Sequence, residues 1–96
     1  MTKEKRHTQK AVALTFDDDR DSAPRIIAKG EGTLAAKIAE VAQKSGVPIR
    51  RDNDLVEILS QIDLNQEVPP ELYAAVAELL SWVYRANESI RKEVFE

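Results

Sequence analysis

The chain changes hydrophobic period several times, and each change marks an element. Ala11-Val12-Ala13-Leu14-Thr15-Phe16 is a short, nearly continuous apolar run of strand type. Asp17-Asp18-Asp19-Arg20-Asp21-Ser22 predicts a turn, because Asp and Ser side chains bond their own backbone. Pro24 presets φ and cannot donate to a ladder, so it belongs at the start of a second strand, about Arg25 to Ala28. Gly30 and Gly32 are expected to break that strand. Leu34, Ala35, Ile38, Val41 and Ala42 then recur at helical spacing, which predicts a helix from about Gly32 to Lys44. Gly46 suits the position after its C-cap, with Pro48 just beyond.

Val47-Pro48-Ile49-Arg50 reads as a short third strand. Asp52 or Asn53 caps a second helix carrying Leu55, Ile58, Leu59 and Ile62. Asn65-Gln66-Glu67 is a loop, and Pro69-Pro70-Glu71 opens a third helix, where missing N–H groups cost nothing. Leu72, Val76, Leu79, Leu80 and Val83 mark its apolar stripe, flanked by Tyr73 and Trp82, and it reaches at least Tyr84. Ile90 and Val94 continue a weaker helical spacing, so 87–96 is expected to be a helix extension or a frayed tail. The expected fold is α/β, a small mixed sheet of about three strands in the order β-β-α-β-α-α, covered by helices. Strands one and two form a hairpin, and the path from strand two through helix one to strand three is a parallel crossover of right-handed type. Residues 1–10 form a flexible polar arm and 11–86 the folded domain.

Composition narrows the chemistry. With 96 residues the chain is one domain with a modest core, burying roughly 60–65% of its unfolded surface. The net charge of −3 provides no overall basic field for nucleic acid or anionic lipid. No cysteine is present, which excludes disulfides, thiolate metal sites and thiol nucleophiles. No apolar run approaches the roughly 18–20 residues that span a bilayer, and the N-terminal segment has no apolar signal core. A cytoplasmic protein is the expectation.

The candidate sites are weak. Asp17, Asp19 and Asp21 match the first, third and fifth positions of a calcium loop. Ser22 stands where that loop needs Gly, Ala28 where it needs a bidentate Glu, and flanking helices are missing, so a solvated turn is favoured. Lys29-Gly30-Glu31-Gly32-Thr33 lacks the spacing of a phosphate loop, and Glu31 would repel an anion. His7 is the only histidine and lies in the polar arm, where no rigid framework positions it as a base. Lys3, Lys5, Arg6 and Lys10, interrupted by Glu4, are a solubilising tail before they are a phosphate-binding one. Arg50 and Arg51 are read as solvated charge or as partners of Asp52 or Asp54. Tyr73 and Trp82 are read first as core and second as the edge of a binding surface. No catalytic residue, metal site or cofactor follows from these patterns.

The blocks AVALTFDDD, APRIIAKG, GVPI and QEVPPELYAAVAELLSWVYR, in this order and spacing, resemble the cytoplasmic C-terminal domain of the flagellar type III export switch protein, the FlhB/YscU family. The resemblance covers Ala11 to about Arg85. Members of that family cleave themselves at an Asn-Pro-Thr-His motif just before the strand matching Ala11–Phe16. The asparagine side chain attacks its own backbone carbonyl. The aligned positions here are Arg6, His7, Thr8 and Gln9, of which only the threonine matches. Asn53, Asn65 and Asn87 precede Asp54, Gln66 and Glu88, so no Asn-Pro bond exists in the chain.

The resemblance therefore implies a stand-alone, non-cleaving homologue of the piece that remains after cleavage. The segment Asp54–Gln61, with Glu57 where integral members usually carry Arg, fits that subgroup. Family members have a further strand before the motif. Its absence here implies an open edge on strand one, available to a partner strand in a homodimer or an export component. The family's substrate-docking patch maps onto Ala23, Pro24, Ala77 and Leu80, all apolar here, with plain packing as the competing reading. The implied role is non-enzymatic: binding export-gate proteins or rod and hook substrates in place of the cleaved fragment. The implied location is cytoplasmic, peripheral to the export apparatus, with only indirect contact to the membrane. A small adaptor on the same fold with a non-flagellar partner is the alternative.

Overall fold

The computed structural model describes residues 9–17, 23–72, 74–76 and 90–96. Four strands and two helices frame it: β1 (Lys10–Asp17), β2 (Arg25–Glu31), α1 (Thr33–Lys44), β3 (Ile49–Arg50), α2 (Asn53–Leu59) and β4 (Ile90–Phe95). A 3₁₀ turn at Pro70–Leu72 leads into helical residues 74–76, where the third helix was expected to begin. The remainder of that expected helix, with Tyr73, Leu79, Trp82 and Val83, lies outside the described residues. So do the acidic turn from Asp18 to Ser22 and the arm from Met1 to Thr8.

The sheet is mixed, in the order β2-β1-β4-β3. β1 pairs antiparallel with β2 on one side and with β4 on the other, and β3 pairs parallel with β4. β2 and β3 therefore run parallel at opposite edges, joined through α1 as the crossover pattern predicts. β2 is longer than expected: Gly30 and Glu31 stay in the ladder opposite Ala11 and Lys10. The strand ends instead at Gly32, whose φ of 61° turns the chain into α1. That conformation is open to glycine and strained for other residues. Gly32 N–H also donates to the Gln9 carbonyl at 2.8 Å, which ties the entry of β1 to the exit of β2.

β1 is buried on both faces, which explains its continuous apolar run. Period-two alternation sends Val12 and Leu14 to one face and Ala11 and Ala13 to the other. On the first face they join Ile26, Leu55, Val56, Leu59, Val68, Val76 and Phe95 in the main core. On the second, the alanines leave room for α1, which packs through Ala35 and Ala42 beside Val94. The α2 N-terminus is capped as expected, with Asp52 Oδ1 accepting from Leu55 N–H at 3.0 Å. Its C-terminal end is held by Lys29, whose ammonium donates to the carbonyls of Ser60 at 3.1 Å and Ile62 at 2.8 Å.

Two expectations are corrected by β4. Residues 90–95 are neither a helix extension nor a frayed tail but a strand at the centre of the sheet. Ile90 and Val94 are four apart, a spacing that fits a strand face as well as a helix face. The edge of β1 is consequently closed. Val12 to Asp17 pair with Phe95 to Ile90, so the chain's own C-terminal segment occupies the place where a partner strand was expected. A homodimer through an open β1 edge has no free ladder to use.

Candidate binding surface and the junction before β1

The segment from Ala23 to Ile26 is built against a strip formed by residues 65–68. Asn65 N–H donates to the Ile26 carbonyl at 2.7 Å, and Ile26 N–H donates to the Gln66 carbonyl at 3.0 Å. Val68 N–H donates to the Pro24 carbonyl at 2.8 Å. Asn65 takes φ of 69°, a left-handed conformation that asparagine tolerates better than most residues, and this aims the strip along β2. Arg25 and Glu67 add an ion pair at 3.8 Å. The strip covers the first half of the outer β2 edge and leads directly into Pro70.

Ala23 and Pro24 are both buried. Ala77 and Leu80 lie outside the described residues, directly after the buried Val76. Thus two of the four positions of the expected docking patch are buried, and Val68, bonded to Pro24, shares the main core with Val76.

At the junction before β1, Arg6, His7 and Thr8 lie outside the described residues, and Gln9 is exposed. Gln9 and Lys10 border a polar groove of about 690 Å³, together with Arg51, Asp54, Glu57 and Glu96. Its charges are paired across the opening. Lys10 Nζ lies 2.6 Å from Glu57 Oε2, and this hydrogen bond is the main cause of a raised Lys10 pKa. Arg51 Nη1 lies 3.3 Å from Glu96 Oε1. Glu96 N–H donates to the Arg50 carbonyl and Asp52 N–H to the Glu96 carbonyl, each at 2.9 Å, so the last residue is locked to the start of α2. Two of its three acids, Glu57 and Glu96, are thus paired with its two bases. Among the described residues, no cluster of histidine and acidic side chains could hold a metal ion.

Sequence reasoning missed two buried carboxylates, one in β4 and one just after it. Glu93 and Glu96 are buried, and no described group hydrogen-bonds Glu93 Oε1 or Glu96 Oε2. Glu93 stands opposite Leu14, on the main-core face. Burial pushes its carboxyl pKa up, and the Arg50 charge opposes the shift. Folded protein therefore holds that proton more tightly than unfolded chain does. Stability is highest with the group protonated and falls as pH rises through the raised pKa. Glu93→Met, which keeps the length and removes the charge, is expected to raise the melting temperature at neutral pH by about 5 °C or more. The gain should shrink in acid, as the wild-type carboxyl takes its proton. Melting curves across pH check this, and an equal or negative difference at every pH contradicts it.

Comparison with known proteins gives a consistent family. The model of the family described as "FlhB HrpN YscU SpaS Family" matches residues 7–83. "Uncharacterized protein YlqH" of Bacillus subtilis (strain 168) is 42% identical over 91 residues, covering 95% of this chain and 98% of the relative. "Flagellar biosynthetic protein FlhB" of Escherichia coli (strain K12) is 39% identical over 79 residues, covering 81% of this chain. The same-named protein of Aquifex aeolicus (strain VF5) is 38% identical over 77 residues. The chain spans 21% and 22% of the length of these two FlhB proteins.

Proposed function

The chain belongs to the FlhB HrpN YscU SpaS family, and on that premise we propose that it is a non-cleaving binding module of flagellar type III protein export. In this role it takes the place of the cleaved C-terminal fragment of the switch protein, in the cytoplasm at the export apparatus. Its partners are export-gate proteins and rod and hook substrates. The observation that carries the reading is the shared fold-bearing sequence from Ala11 onward, combined with Arg6-His7-Thr8-Gln9 where cleaving members carry their motif. Cyclisation needs an asparagine carboxamide beside a scissile bond, and Arg6 supplies none. None of the described helices is long and apolar enough to cross a membrane, so attachment to the apparatus would run through protein contacts.

Substrate docking is assigned to the positions Ala23, Pro24, Ala77 and Leu80, of which Ala23 and Pro24 are buried. The test is binding of purified rod and hook subunits to the immobilised chain by interferometry. The chain should bind them and stay intact by mass. Ala77→Asp should weaken binding about tenfold while leaving the melting temperature close to wild type. Equal binding by a folded Ala77→Asp variant would remove the patch, and no binding by the wild type would remove the export reading.

A further inference from the structure

Three large apolar side chains on α1 and β2 are exposed. Leu34 and Val41 of α1 are 53% and 51% exposed, and Ile27 of β2 is 41% exposed. Their exposure has a structural cause. α1 meets the sheet through Ala35 and Ala42, with Ile38 half-buried against the same cluster, and Leu34 and Val41 stay largely outside the contact. Ile27 is exposed because the β1–β2 register slips between Ala13 and Leu14, where Ala28 and Ile26 are the successive partners, leaving Ile27 with no residue opposite.

Ile27 and Val41 converge on one concavity. Between α1 and the sheet lies a groove of about 330 Å³, with Ile27, Ile38, Val41, Val47 and Val94 among its walls. Ala13, Ala28 and Ala42 line it with small side chains. Lys37 and Lys92 also line it. The single acid there, Glu93, is buried and faces the main core through its pairing with Leu14. Glu40 reaches Lys37 only at 3.9 Å and lies closer to Lys44, at 3.3 Å, and all three side chains are more than half exposed. The groove is thus apolar with a cationic rim, in a chain whose net charge is −3.

We propose that this groove docks a segment of a partner protein that inserts an aliphatic or aromatic side chain between Ile27 and Val41 and sets carboxylates beside it against Lys37 and Lys92. The volume suits one or two inserted side chains, and the rim charge selects an acidic neighbourhood. A lipid surface fits less well, because the apolar residues line a concavity and only two lysines flank it. Occupancy of this groove does not depend on the export reading.

The test uses the full chain, labelled with nitrogen-15, and a short capped peptide carrying two leucines between glutamate pairs. Amide shifts should concentrate at Ile27, Val41, Val47 and Val94. Replacing the leucines by serine should abolish them. Val41→Asp, or Lys37→Glu with Lys92→Glu, should weaken binding about fivefold or more, and a lysine-flanked peptide should recover affinity for the double variant. Val41 is half exposed, so its variant should keep the fold, and Ile27→Ser provides a second disruption. Ile58→Asp, on α2, should leave binding unchanged. Four outcomes overturn the proposal: no shifts at the groove, equal shifts with the serine peptide, anionic vesicles perturbing the groove where the peptide does not, and groove shifts that appear on concentrating the chain alone.

Discussion

Deleting residues 90–96 is expected to abolish the cooperative fold. The loss would be far out of proportion to seven residues at a chain end. β4 lies between β1 and β3, so its removal strips the ladder from Val12 to Asp17 and disconnects β3 entirely. It also removes Phe95, a fully buried side chain of the main core. Phe95→Ala alone should cost about 3–5 kcal/mol, since deletion of a buried aromatic loses its transfer energy and leaves a cavity. Small domains hold about 5–15 kcal/mol in total, so the variant should be marginal. Lys92→Ala, exposed on the same strand, should stay within about 0.5 kcal/mol of wild type. Chemical denaturation checks the series. A truncated chain that still unfolds in a sharp transition would show that β4 is dispensable.

Leu59→Ala and Ile58→Ala should part widely although the residues are neighbours. α2 has seven residues, too few to be helical alone, so packing must hold it. Leu59 is fully buried in the main core, while Ile58 is 45% exposed. Leu59→Ala should cost about 2–5 kcal/mol and release α2 from β1. Ile58→Ala should cost about 1 kcal/mol or less, because much of its surface already meets water. Hydrogen exchange at Val56 and Leu59 amides should rise sharply in the first variant and little in the second. Similar losses in both would mean that α2 is not seated as described.

The local elements were legible because each has an unambiguous period or cap. Ala11–Phe16 read as a strand, Asp52, one of two candidate caps, caps α2, and Gly46 adopts the positive φ expected after α1. β4 was not legible for a definable reason. A four-residue spacing is shared by helices and strands, and Lys92 and Glu93 broke the apolar alternation that would have decided between them. Its pairing partners lie about 80 residues away in sequence for β1, so no local signal marks the contact. The same distance hid the burial of Glu93. The groove beside α1 was half legible. Leu34, Ile38 and Val41 stood out by spacing, but spacing cannot say that Ala35 and Ala42 would take the closest contact and leave Leu34 and Val41 half-exposed.

These points bear on function together. The feature expected to recruit a partner, an open β1 edge, is closed by the chain's own β4. A self-sufficient sheet can serve as a binding module without a strand supplied by another protein. The most direct measurement is secretion of rod and hook proteins by flagellated cells whose switch protein ends at its cleavage site, with this chain supplied separately. The account predicts that the wild-type chain restores secretion while remaining uncleaved and that Phe95→Ala does not. Absence of secretion despite a folded, abundant chain would contradict it.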